Sequence, residues 1–286
     1  MSTTRSLALG VVFMGAALTG CASLVSSAAS GFADRLSSAI LNQDDPATVK
    51  AAMPSYMVLL DSLVEGSPDD PDILAAAATL YASYGAVFAD EPQRAQRLTR
   101  RARGYAQKAL CNEYAEACGW RDLNYDDFVD SVSRVEGRDA ELLYTYGFAT
   151  LVYLRAHGDD WNSLAELPQA QALFDHYLAV AGDDVNEATY VYMGILHTLR
   201  PPALGGQPEL ARENFEKAIA LSDGRDLSAK VEYAKGYARL LYERELHDEL
   251  LSSVLAADPY ADGLTLANVM AQQEAAQLLL SADDYF

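Results

Sequence analysis

Several things are scarce in these 286 residues, and each scarcity closes off a class of function. Four histidines, His157, His176, His197 and His247, stand far apart, and no His-Glu-x-x-His, Gly-x-Ser-x-Gly, Walker or EF-hand pattern accompanies them. Glu243 and His247 are four apart on a helical stretch, but no third ligand is near in sequence, and the carboxylates of Asp258 to Asp262 have turn spacing. No catalytic group, metal site or cofactor is therefore assigned. Basic residues number 21 against 41 acidic ones, a net charge of −20 that leaves no face for nucleic acid or for binding anionic lipid by charge. No alternating β-branched run is present, which argues against strands, and no Pro/Gly/Ser-rich linker divides the chain.

Cysteine is limited to Cys21, Cys111 and Cys118. The first ends a leader: Arg5 supplies positive charge, and Leu7 to Leu18 is apolar but too short for a comfortable membrane span. The run closes in Leu18-Thr19-Gly20-Cys21, which looks like a lipobox with Cys21 as the lipidated residue. Lipid chains, not charge, would then tether the chain. The other two cysteines are seven apart, about 10 Å along an unbroken helix, so a Cys111–Cys118 bridge requires the helix to break within 112–117. An oxidising compartment favours that bridge over two free thiols.

What is abundant is helical patterning. Half the residues are hydrophobic, enough to bury a large core. Small–large stripes at i, i+4, i+7 recur: Ala102, Ala106, Ala109; Ala170, Phe174, Tyr177; Ala211, Phe215, Ala218; and one starting at His247. The first interval is twice the 34-residue tetratricopeptide period, and the later ones exceed it modestly. Proposed hairpins pair Pro71–Ala89 with a helix opening at Pro92, Asp139–His157 with Pro168–Gly182, Val185–Leu199 with Pro208–Ser222, and Leu227–Arg244 with Leu246–Ala257. Before them runs an amphipathic helix, Pro46–Glu65. An insertion with a short helix near Asp126–Val135 interrupts the series, and Leu264–Leu280 reads as a terminal cap. The expected fold is all-α, tetratricopeptide-like hairpins stacked into a compact solenoid. Residues 1–20 read as leader, 21–45 as a tether into a first helix, and 46–286 as one helical domain.

The corner between the third pair of helices is elaborate. Arg200-Pro201-Pro202 stops one helix, Gly205-Gly206 permits left-handed or close-packed backbone, and Pro208 opens the next. Arginines at 94, 97, 100, 101 and 103 read as a solvated helix face. Tyrosine is the dominant aromatic, 17 residues against 8 Phe and 2 Trp. Tyr81, Tyr144, Tyr190, Tyr233 and Tyr237 fall on first helices, which line the inner face of such stacks, and so are candidate ligand contacts. Tyr190 and Tyr192 point ~200° apart, and Tyr190 is preferred because Gly194 shares its face.

The lipobox, the hairpins and the Pro-Pro-Ala-Leu-Gly-Gly corner running into Ala-x-x-x-Phe-x-x-Ala together resemble the T component of TRAP transporters, as does the Trp161 link GDDWNSLAELPQA. The resemblance spans roughly residues 33–282. It implies a lipid-anchored, periplasm-facing outer-membrane protein and a homo-oligomer, a trimer in that family. It also implies a channel through each protomer and a solute-binding P component as partner. The ligand would be a small hydrophobic molecule or an organic acid, with Trp161, Arg155 and Arg200 added to the tyrosines as contacts and no nucleotide site. The competing reading is an outer-membrane scaffold that docks proteins and holds no small ligand; an open acidic groove would favour it, a closed lumen the transport role.

Overall fold

A computed structural model describes residues 35–183 and 185–286. The leader and Cys21 lie outside the described residues. Among those described, all regular structure is helical and there is no strand. Proline sets where several helices start. α1 (Pro46–Gly66), α2 (Pro71–Val87), α3 (Pro92–Glu113) and, further on, α8 (Pro208–Leu221) each begin with Pro in the first turn, where its missing N–H costs nothing. Asp45 and Asp70 cap the first two, Asp70 accepting from the amides of Asp72 and Ile73 at 3.1 Å.

The expected insertion holds a 3₁₀ segment, Ala115–Asp122, and α4 (Tyr125–Val132). α3 ends at Glu113, inside the interval where a break was required, and Cys111 and Cys118 form a disulfide with Cα atoms 4.8 Å apart. The later helices are α5 (Ala140–Ala156), α6 (Leu167–Val180), α7 (Ala188–Thr198), α8, α9 (Leu227–Glu232, continuing as π-helix through Ala238), α10 (Arg244–Ala256) and α11 (Thr265–Leu280). The first helix of the fourth pair stops short of the expected Arg244. Tyr242 adopts a left-handed φ of 58° and the Glu243 amide bonds back to the Ala238 carbonyl at 2.8 Å, closing that helix before α10 begins.

The stripes read from the sequence are the packing surfaces. Ala102, Ala106, Ala170, Phe174, Ala211 and Phe215 are completely buried. Facing glycines let the first helix of a pair approach the second. A Cβ on Gly147 would lie 3.0 Å from the Phe174 ring, and one on Gly194 only 2.6 Å from the Phe215 ring. Gly194 therefore makes room for Phe215, not for a ligand beside Tyr190, because the aromatic of the stripe fills the space that the glycine vacates.

α11 does more than cap. Its Asn268, fully buried, accepts from the Leu227 amide at 2.9 Å and donates to the Arg225 and Pro259 carbonyls. Leu266 joins the apolar cluster of the first helices, and α11 also packs on α1. Beside it Asn42 donates to Asp262 at 3.0 Å and accepts from the Gly263 amide at 2.8 Å, and Tyr260 donates to Asp44 at 3.1 Å. The turn before α11 thus meets the segment that leads into α1.

Candidate functional site

α5 carries two side-chain rows. Tyr144, Phe148 and Arg155 form one, at steps of four and seven, and Tyr146, Thr150 and Tyr153 the other, at steps of four and three. The first row begins a strip that crosses the first helices. Tyr192 of α7 lies between Tyr144 (centroids 6.1 Å apart) and Phe148 (5.2 Å, planes within 18°), and the two phenols share a hydrogen bond. Burial raises the pKa of both hydroxyls, that of Tyr192 to about 12, so both remain protonated at neutral pH.

An ion ladder continues the strip. Arg155 Nη1 meets Glu232 Oε1 at 3.1 Å, Lys235 Nζ meets the same oxygen at 3.1 Å, and Lys235 reaches Glu274 of α11 at 2.7 Å. Burial works to raise the Glu232 pKa, but Arg155 and Lys235 outweigh it and hold the carboxyl below its ordinary value. The Glu232 side chain keeps 17% of its accessible surface. Tyr144, Tyr192 and Phe148 are likewise only partly buried. The strip offers flat apolar faces beside phenolic hydroxyls, and every cation in it already has a carboxylate partner.

Of the eight candidate ligand residues, Tyr144 and Arg155 stand in this strip. Tyr81 is 4% exposed, its hydroxyl donated to Asp61 at 2.7 Å and its ring under Arg101. Tyr233 and Tyr237 are buried; their continuous aromatic edge turns inward, Tyr233 stacking on Phe215 at 5.4 Å. Tyr190 lies under Lys217, 4.1 Å from its ring centroid, between α7 and α8. Trp161 is 72% exposed on a single turn after α5. Arg200 packs at its own corner, 3.8 Å from where a Gly205 Cβ would sit.

Tyr192, Phe148, Glu232, Lys235 and Glu274 were missed. Two signals could have found them: the 144/148/155 row, and opposite charges three apart on an otherwise apolar first helix. A larger recess, about 160 Å³, lies between Leu36, Ile40 and the Met53–Tyr56 turn of α1 and shares no residue with the strip. Among the described residues no group of three or more His, Cys, Asp or Glu could hold a metal, and no helix is long and apolar enough to cross a membrane.

Of the α3 arginines expected on a solvated face, Arg97, Arg100 and Arg101 are exposed, while Arg94 is half-buried and Arg103 is buried. Arg94 covers Tyr84, Arg100 meets His157 at 3.2 Å, Arg101 reaches Asp61 at 2.9 Å, and Arg103 is buried against Glu166. Each of these four reaches a partner on another helix or its flanking turn, because the helix spacing puts an aromatic, acidic or imidazole side chain within reach.

Fold and strip together define an all-α protein of stacked, tetratricopeptide-like hairpins, in which α5, α7, α9 and α11 share an aromatic and ionic strip. The chain belongs to the TRAP transporter T-component family: that family's sequence model, TAtT, matches residues 42–286. No curated protein matches it. Membership makes the chain an accessory of a TRAP transport system.

Proposed function

We propose that the strip on α5, α7, α9 and α11 is the path or resting place of a small apolar or aromatic ligand handled with the solute-binding P component of a TRAP system. The observation that carries this reading is the continuity of the Tyr144–Phe148–Tyr192 stack with the Arg155–Glu232–Lys235–Glu274 ladder, in a stack whose ends meet at Asn42 and Asp262. Partly buried aromatic faces set among helices suit a small molecule better than docking of a protein along an open groove. With its cations neutralised in place, the strip favours a hydrophobic ligand over a free organic acid. The rest of the proposal is the setting: lipidation at Cys21, a periplasm-facing outer-membrane position, and a homo-oligomer of such protomers, a trimer as in the family.

The test is binding of the neutral fluorescent probe N-phenyl-1-naphthylamine. Tyr192→Ala removes a stacking platform and should weaken binding at least tenfold, since an aromatic contact with its buried area contributes more than about 1.4 kcal/mol. Tyr190→Ala should leave the affinity unchanged. Equal effects of the two variants, or none from Tyr192→Ala in a protein that melts normally, would remove the strip from ligand handling.

A further inference from the structure

The second row of α5 looks the other way, into a small recess between α3, α5, the start of α6 and the 3₁₀ segment of the insertion. At its centre is Arg103, 4% exposed. Glu166 takes one guanidinium nitrogen, Nη2, and the Tyr146 hydroxyl lies within hydrogen-bonding range of the group. Arg103 Nε and Nη1 have no partner although both are shut off from solvent. Two more buried polar atoms beside them are also unpaired, Thr150 Oγ1 and Gln169 Oε1. Thr150 is telling, because Thr99 and Thr198 on neighbouring helices satisfy their hydroxyls on the carbonyl four residues back, at 2.8 Å and 3.2 Å, and Thr150 does not.

Unpaired buried donors cost about 1–3 kcal/mol each, more when charged, so a cluster of them calls for an occupant. The recess measures about 20 Å³, room for one water-sized group. Its apolar walls are Trp120, Phe128 and Leu173, and Arg121 stands exposed at its rim. Two arginines against one glutamate give the recess a positive balance in a chain of net charge −20. Arginine nitrogens can only donate, the threonine hydroxyl can donate, and a half-turn of the Gln169 amide presents its NH₂ in place of its oxygen.

We propose that this recess binds one small anionic acceptor, a halide ion or one carboxylate oxygen of a small acid, held by Arg103 Nε and Nη1, Thr150 Oγ1 and the Gln169 amide. The site is independent of the inner strip, from which the body of α5 separates it. It also ties the insertion to the second hairpin, since Trp120 belongs to the one and Thr150 and Gln169 to the other.

Trp120 supplies a reporter. The only other tryptophan is the exposed Trp161, so Trp161→Phe leaves a single indole at the wall of the recess. In that background, Trp120 fluorescence is titrated with sodium chloride, sodium formate and sodium gluconate at one ionic strength. The expected result is a saturable change with chloride, formate or both, and none with the bulky gluconate. Response to chloride alone assigns a halide site, and response to formate a carboxylate site. Thr150→Val keeps the side-chain shape and the Arg103–Glu166 pair, and should weaken the responding anion about tenfold, as loss of a hydrogen bond to a charged group does. Identical traces for all three salts, or a Thr150→Val titration superposing on its parent, would overturn the proposal and leave water as the occupant.

Discussion

Replacing Gly206 by alanine should be among the most damaging single changes in this protein, and the corner geometry says how damaging. A Cβ there would lie 1.9 Å from the Arg200 carbonyl oxygen and 2.8 Å from its carbon, whereas ordinary contact begins near 3.4 Å. The obstacle is backbone, which cannot rotate aside, so the loop must open by about 1.5 Å. Two hydrogen bonds hold it shut: Gly206 N–H to Pro201 O at 3.1 Å and Gln207 N–H to His197 O at 2.9 Å. Losing the second unpairs the carbonyl of His197, a buried residue, at about 1–3 kcal/mol, and the displaced backbone adds a comparable strain. The expected loss is ~3 kcal/mol, or roughly 6–12 °C in melting temperature for a domain of this size. Gly205 is a contrasting control. Its φ is +89° but its nearest neighbour would be 3.8 Å away, so Gly205→Ala faces only left-handed backbone strain of ~1 kcal/mol. Thermal and urea melts of both variants decide the matter. A Gly206→Ala melt within about 1 °C of wild type, or a smaller loss than Gly205→Ala, would refute the reasoning.

Gly194→Ala should cost ~1–2 kcal/mol, because overpacking against Phe215 exceeds the helix-propensity gain of alanine, and Phe215→Leu should restore most of the loss when the two are combined; strictly additive urea midpoints would contradict the contact. Acid should weaken the inner strip. Glu232 has a folded pKa below its unfolded value of ~4.3, so its contribution is complete above that pH and disappears as pH falls through the folded value. Urea midpoints measured from neutral pH down through that range should fall, and Glu232→Gln should flatten the fall; an unchanged slope in the variant would show that the ladder contributes no acid sensitivity.

Helix boundaries, the small–large stripes and the break after Cys111 were legible in the residues because each is local. Proline at a first turn, aspartate at a cap, and alanine every third or fourth position act within a few residues of themselves. The identity of the facing surfaces was not local. Tyr190 and Tyr192 are equivalent as sequence, and the choice between them turned on what stands opposite Gly194. That is Phe215, brought there by the packing of α8, while Tyr192 on the other face meets Tyr144 and Phe148. Arg103 is one arginine among five until α5 and α6 enclose it, and Arg155 a lone cation until α9 brings Glu232. The contact between the two ends of the domain depends on Asn42 meeting Asp262, residues 220 apart in the chain, and no pattern of neighbours encodes that meeting. The sequence by itself determined the hairpins and their turns, since those energies are spent within a few residues. Tertiary packing alone decided which faces became core, inner strip or anion recess, since burial and charge pairing depend on which distant helix arrives.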